Sequence, residues 1–429
     1  MSGHVADDPP DASLPAALTD EGPRRARRLV ARSAALVDQG LSGLSNFLTI
    51  ALVARSASPD AFGRFALAYA LVLTLLNLVR GLWGTQVALS RSASEAVATV
   101  RGLFGATVLV APLMAGLVVV PAVALSTGWA WQLILLIVIS APLVCAQDLC
   151  RYAAISAERP LVAVLSDGSW VLVVSIGYLV RPGEVAAIGV WVVGAVVGLL
   201  VAAVPLRARP SLRDGRRALR TWHATAIGVA TTNIAIQIGS YAALATASVV
   251  AGTQAAAALR GASSVMAPVN TLLAFLAIAL LPLVHRRPPE QHVRVVFRIG
   301  TVVLVATAIW GAVLLLLPPG VGALLLGQTW PLSREILPWT VGEYLFIALG
   351  AAGLLGIQAR QAGRLLMALG VGGAVLLALA GVAAGVIAGT TTSFAVGQTV
   401  AAGLGTVGIW SVYVRLTGRR ARADRRGAD

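Results

Sequence analysis

Six polar side chains interrupt the apolar run DQGLSGLSNFLTIALVAR (residues 38–55): Asp38, Gln39, Ser42, Ser45, Asn46 and Thr49. Positions 38, 42, 45, 46 and 49 share one helical face, at i, i+4, i+7, i+8 and i+11. A later stretch, TTNIAIQIGSYAALA, repeats the device with Asn233, Gln237, Ser240 and Tyr241, each 195 residues beyond a polar position of the first. Two chemistries fit such stripes. Ser, Thr and Asn can bond across packed helices in lipid for about 0.6 kcal/mol each. Alternatively, Asp38, Gln39, Ser42, Asn46, Asn233, Gln237 and Tyr241 form walls of a water-filled cavity.

Ionisable residues inside apolar runs sharpen the question, because each costs about 2.5–3.5 kcal/mol even on the gentler insertion scales and so faces a cavity or a partner. Arg80, in TLLNLVRGLWG, and Arg260, in AAAALRGASSVMAPVN, either snorkel to the interface or face a cavity. Asn77 lies one turn before Arg80 and is expected on the same cavity wall. Asp148 and Arg151, at i and i+3, read first as a local ion pair. Asp38 either pairs with an arginine or joins Asp167 and Glu343 as a candidate proton or cation site.

Enzymatic and nucleotide-driven chemistry finds little support. Cys145 and Cys150 share one apolar run, and the four histidines form no ligand pair at helical spacing, so neither a metal nor a cofactor is expected. No GxxxxGK[ST] motif appears, which argues against direct use of ATP. The apolar connector PPGVGALLLGQTWPLS contains no His, Asp or Glu. A membrane polymerase or ligase needs catalytic groups on such a loop, so the expectation is a non-enzyme.

The elements that carry these residues follow from composition. The 429-residue chain is 58% hydrophobic and 12% charged, with mean hydropathy +0.84. Soluble domains carry about 25% charged residues. At about 20 residues per crossing, twelve helical spans are expected: 34–54, 62–82, 102–125, 130–150, 161–180, 185–206, 224–250, 255–283, 299–317, 335–357, 365–388 and 394–414. The first 32 residues, acidic and Pro-rich and then basic, read as a disordered tail rather than a signal peptide. The basic segment 207–222 divides an N-lobe (33–206) from a C-lobe (223–416), followed by a basic tail over 417–429. Six spans separate the two polar stripes, so both run in the same direction, as in a parallel repeat of two lobes.

All 33 basic residues are arginine, and the net charge is +15. Their clustering between spans indicates topology, not nucleic-acid binding. With a cytoplasmic N-terminus, 27 arginines fall on the cytoplasmic side, while only Arg55, Arg64, Arg181 and Arg334 fall on the other. Both termini are therefore expected in the cytoplasm.

Residues 36–92, with DQ and SxxSNF on the first span, VAR at its end, FGRFALA opening the second and NLVRG closing it, resemble bacterial polysaccharide-export proteins. These are the O-antigen flippases of the MATE-like (MOP) flippase superfamily, which also contains the lipid II flippases. LLLGQTWPLSREILP and GLLGIQARQAGRLL extend the resemblance. It implies an all-α, two-lobed MATE-like fold in the bacterial plasma membrane. It also implies alternating-access flipping of a polyprenyl-diphosphate-linked oligosaccharide, beside glycosyltransferases or a polymerase of the same pathway. Lipid II flippases line their cavity with arginines on spans 1, 2 and 8. Arg55 and Arg80 match by motif and Arg260 by span, and Tyr241 is placed to stack on a sugar. Those flippases carry Arg-Asp where this chain has Asp38-Gln39, which points to a glycan other than the peptidoglycan precursor. The alternative within the superfamily is a cation-coupled small-molecule exporter.

Overall fold

The computed structural model describes residues 21–88, 90, 92–125, 128–220, 224–275, 280, 284, 289–360 and 363–426. Helices account for its regular structure, and no strand occurs among the described residues.

The first long helix, α1 (Glu21–Ser56), carries the first polar stripe. A tight turn leads to α2 (Pro59–Val79), where Ser58 caps the helix by accepting from Ala61 N–H at 3.3 Å and Pro59 sits where an N–H is dispensable. The end of α2 widens into a π-helical turn, Arg80–Gly84. Four helices follow: α3 (Ala93–Leu125), α4 (Trp131–Ser156), α5 (Pro160–Val180) and α6 (Glu184–Leu206). A short helix, α7 (Leu212–Ala218), leads to α8 (Ala224–Ala251), bearer of the second stripe.

The next span is broken. It comprises α9 (Thr253–Val265) and α10 (Ala267–Phe275), separated at Met266. Next come α11 (Pro289–Leu315), the short α12 (Pro319–Leu326), α13 (Trp330–Gln358), α14 (Gly363–Ala388) and α15 (Thr391–Arg426).

Among the described residues, nine helices are long and apolar enough to cross a membrane. The remaining three of the twelve crossing segments are α1, α8 and the α9–α10 pair, two bearing polar stripes and the third broken. The chain is thus a multi-pass membrane protein.

Packing sorts the helices into two sets. In the first, α1 lies on α5, α5 on α6, α6 on α4 and α4 on α3; in the second, α8 lies on α14, α14 on α15, α15 on α13, and α13 on α11 and α9. The sets meet where α2 packs on α8 and α9 and where α1 meets α10 and α12. Glycines permit the closest approaches. A Cβ on Gly63 would lie 2.0 Å from Thr253 O, and one on Gly81 would lie 2.4 Å from Ala230 Cα.

Three segments differ from expectation. The expected tail 1–32 is helical from Glu21 onward, residues 1–20 being outside the described ones. Arginine is a good helix former and Pro23 falls in the first turn, so nothing in EGPRRARR stops the helix. Likewise α15 runs on to Arg426 through the expected tail 417–429. The connector between the ninth and tenth spans is not a plain loop, since its apolar PGVGALLL folds as α12.

Candidate functional site

The first stripe divides between two sites. At about 100° per residue, Asp38, Ser45 and Thr49 fall within an arc of roughly 40°, and Ser42, Asn46 and Gln39 occupy the arc beside it. The structure uses the arcs differently. Asp38, Ser45 and Thr49 are buried within the first helix set, where Ser45 Oγ donates to Ser42 O and Thr49 Oγ1 to Ser45 O. Gln39, Ser42 and Asn46 line a chamber between the two sets.

This chamber has a volume of about 570 Å³, within the range of small-ligand sites. From the second set come Gln237, Ser240 and Tyr241 of α8, Arg260 and Ser263 of α9, Asn270 of α10, and Glu343 and Tyr344 of α13. Arg80 reaches it from the end of α2. Among the described residues the chamber therefore mixes two guanidiniums with one carboxylate.

Arg260 is the chamber guanidinium without an ion-pair partner among the described residues. Its guanidinium lies 5.2 Å from the centre of the Tyr69 ring, close enough for a cation–π contact. Its Nε is buried with no hydrogen-bond partner among the described residues, and no carboxylate there lies within ion-pair distance. Tyr69 is fixed in turn: its hydroxyl donates to Asn46 Oδ1 at 2.7 Å, and its ring packs edge-on against Trp191. Across the chamber, Asn270 Nδ2 donates to Tyr344 Oη at 3.0 Å. Glu343 has no hydrogen bond or ion pair to a described residue.

Behind the chamber wall lies a buried charge network. Arg80 grips Asp148 with both prongs, Nε–Oδ2 at 2.8 Å and Nη2–Oδ1 at 2.9 Å. Arg151 also binds Asp148, through Nη2 at 2.8 Å, and reaches Asp38 through Nη1 at 2.6 Å. Asp167 completes the group, 3.9 Å from Arg151 and accepting from Gln147 Nε2 at 2.9 Å. Ser166 ties the network to the backbone by accepting from Gln147 and donating to Gly198 O at 2.7 Å. Three carboxylates thus face two guanidiniums; the pairs at Asp38 and Asp148 are hydrogen-bonded, as burial of charge requires, whereas Asp167 faces Arg151 at 3.9 Å without a hydrogen bond to it.

The site residues expected from sequence divide accordingly. The structure brings together Gln39, Ser42, Asn46, Gln237, Tyr241, Arg80, Arg260 and Glu343 at the chamber. Asp38 is not a wall residue, because Arg151 draws it into the first helix set. With Asp167, it surrounds a guanidinium already tethered in place. Asn77 turns its amide back to Leu73 O at 2.8 Å, so its polar head is satisfied by its own helix. Arg55 lies away from the chamber at the end of α1, 4.8 Å over the ring of Tyr178. The side chain of Asn233 falls outside the described residues.

Other contributors were not singled out. Tyr69 sits in the apolar run ALAYALV and carries no sequence signal of a role. Asn270 and Gln398 are isolated polar positions. Arg151 reads as half of a local pair until its 113-residue separation from Asp38 closes in space.

At the end of the bundle where Arg55 lies, the two sets are joined. Asp60 accepts from Thr253 Oγ1 at 2.6 Å and from Gln254 Nε2 at 3.0 Å. Tyr178 Oη donates to Leu324 O of α12. These contacts hold the two helix sets together at that end.

Comparison with known proteins places this architecture. No family model matches the chain, and no curated protein does. Solved structures do. A multidrug resistance MATE family transporter of the MOP superfamily, in its inward-facing conformation, superposes with a TM-score of 0.67 at 13% identity, covering 88% of this chain and 95% of its own. The chain has the MATE-like fold. The lipid II flippase MurJ, in an inward closed conformation, gives a TM-score of 0.64 at 11% identity, over 90% of this chain and 87% of its own. A MOP superfamily transporter from Pyrococcus furiosus, whose binding pocket is described as reversed in polarity, gives 0.56 at 14%, over 92% and 96%. At such identities the MATE-like likeness establishes architecture, and the chemistry of this chamber has to be argued from its own residues.

Proposed function

We propose that the protein is a flippase that carries a polyprenyl-diphosphate-linked oligosaccharide across the bacterial plasma membrane. It would act by alternating access, with both termini in the cytoplasm. The observation that carries this reading is Arg260, a chamber guanidinium with a free buried Nε and no carboxylate partner among the described residues. A permanent charge with a planar fork of donors suits diphosphate oxygens. Around it, Gln39, Ser42, Asn46 and Gln237 offer the hydrogen bonds that a sugar head group needs away from water. Tyr241, whose hydroxyl has no partner among the described residues, is available to a sugar as donor or stacking surface. MurJ, described as a lipid II flippase, supports a lipid-linked substrate by likeness of fold.

A second reading, a cation-coupled exporter of small molecules, draws on Glu343 in the same chamber and on the MATE transporters of the same fold. The two separate in one assay. Protein in liposomes is supplied with a fluorescent polyprenyl-diphosphate sugar, and its loss from one leaflet is followed by chemical quenching. Arg260→Ala should reduce flipping by at least about tenfold while leaving insertion and size-exclusion behaviour intact. Failure of the native protein to flip the lipid would favour the exporter, and full flipping by Arg260→Ala would overturn Arg260 as the diphosphate site.

A further inference from the structure

The segment that joins the two helix sets, 207–220, takes no part in the chamber or in the charge network. It holds six arginines, at 207, 209, 213, 216, 217 and 220, against one acid, Asp214. All six are exposed. A basic connector needs only its charge to direct topology, and no fixed shape. This one has a shape. Arg207 turns the chain out of α6 in the left-handed conformation, at φ 49°. Arg101 of α3 then holds the returning backbone: its Nε donates to Arg207 O at 3.1 Å, and its carbonyl accepts from Ser211 N–H at 3.2 Å.

Glycines seat α7 directly on α3. A Cβ on Gly105 would lie 2.0 Å from Ser211 O, and one on Gly215 would lie 2.6 Å from Ala106 N. Those α3 residues begin the apolar run that follows Arg101, so α7 lies at the level where hydrocarbon gives way to head groups. Gly215, the buried position of α7, faces α3. At about 100° per residue, Arg213 and Arg217 stand on the opposite side of the helix from Gly215, with Arg216 about a quarter-turn from it. Leu212, an apolar side chain left 51% exposed, adjoins Arg216 on the same surface. Arg213 and Arg217 also form a like-charged i, i+4 pair, which by itself destabilises a helix. Asp214, the one acid of the segment, is engaged in the helix cap, where its carboxylate accepts from Ser211 Oγ at 2.6 Å. Anions held among these guanidiniums would offset their repulsion.

We infer that α7 and its flanking arginines form a fixed binding surface for anionic phospholipid head groups of the leaflet on that face, the cytoplasmic one by the arginine argument. The depth of α7 and the exposed Leu212 favour a lipid over an acidic protein, because a lipid brings phosphate and hydrocarbon to the same level. The surface is independent of what the chamber carries. Since 207–220 links the two helix sets, lipid held there fixes the edge of the first set to that leaflet.

The test uses the full chain in detergent, where topology plays no part, with an environment-sensitive dye on Leu212→Cys; the native Cys145 and Cys150 are buried. Phosphatidylglycerol added to the micelles should shift the dye, and phosphatidylcholine should not. Replacing Arg213, Arg216 and Arg217 together by glutamine should weaken the phosphatidylglycerol response on the order of 100-fold, the worth of three charges at about 1 kcal/mol each. Gly105→Leu keeps every charge but pushes α7 off α3, and should weaken the response as well. Equal responses to the two lipids, or an undiminished response in the triple variant, overturns the lipid surface. An undiminished response in Gly105→Leu overturns its fixed shape. Inorganic phosphate at matched concentration should leave the lipid bound; full displacement by it overturns the lipid assignment and reduces the surface to a simple anion site.

Discussion

Replacing Arg151 by glutamine should unfold the first helix set, for reasons visible around its side chain. The guanidinium lies 2.6 Å from Asp38, 2.8 Å from Asp148 and 3.9 Å from Asp167, and the side chain is only 6% exposed. Removing one partner of a buried ion pair costs about 3–5 kcal/mol, because the other keeps its charge without water or counter-charge. Arg151→Gln strands three carboxylates on one remaining guanidinium, Arg80, so a loss near 5 kcal/mol, the upper end of that range, is expected. The network predicts an ordering as well as a size. Asp148→Asn removes the negative charge shared by Arg80 and Arg151, and one of the two oxygens that accept from them, and should cost about 3 kcal/mol. Asp167→Asn should stay within about 1 kcal/mol of the native protein, since it removes the surplus negative charge and keeps an oxygen for Gln147. Thermal unfolding of detergent-solubilised protein, followed by fluorescence-detected size exclusion, reads all three. A near-native Arg151→Gln, or equal damage from Asp148→Asn and Asp167→Asn, would refute the view that these charges form one interdependent unit.

Two further outcomes test the bundle as a whole. Asp60→Ala should loosen the join at the Arg55 end by about 1.5 kcal/mol, the low end for hydrogen bonds to a charged group, and so raise opening there roughly tenfold. A cysteine replacing Ser263 in the chamber would report this as faster modification by an impermeant thiol reagent added from that side; an unchanged rate would show the clamp to be immaterial. Topology is read with Gly183→Cys, between α5 and α6, and Arg213→Cys, on α7. Both positions are exposed, while the native Cys145 and Cys150 are buried. Labelling from opposite faces of the membrane is expected, and same-face labelling would reverse the arginine argument.

The fold was legible where a rule acts along the chain. Hydrophobic length set the spans, and the 195-residue repeat of polar positions directed attention to α1 and α8, whose Gln39, Ser42, Asn46, Gln237 and Tyr241 do meet at one chamber. Rules that act along the chain fail where three-dimensional partners decide. Asp38 and Ser42 sit on adjacent arcs of one helix, and no pattern in the sequence states which arc faces a gap and which faces Arg151. The network joins positions 38, 80, 148, 151 and 167 through four different helices, so only Asp148 and Arg151 were close enough in sequence to be paired in advance. Arg80 shows what this costs a sequence reading. Its place at the end of α2 suggested either an interface anchor or a cavity cation, yet the π-helical turn that begins with it aims the guanidinium at Asp148 while leaving a quarter of the side chain, 26%, exposed on the chamber side. One residue therefore belongs to both the buried network and the ligand chamber. The two chamber arginines therefore differ: Arg80 is already held by a carboxylate, whereas Arg260, over Tyr69, has no carboxylate partner among the described residues, which is why the proposed function assigns the diphosphate to Arg260.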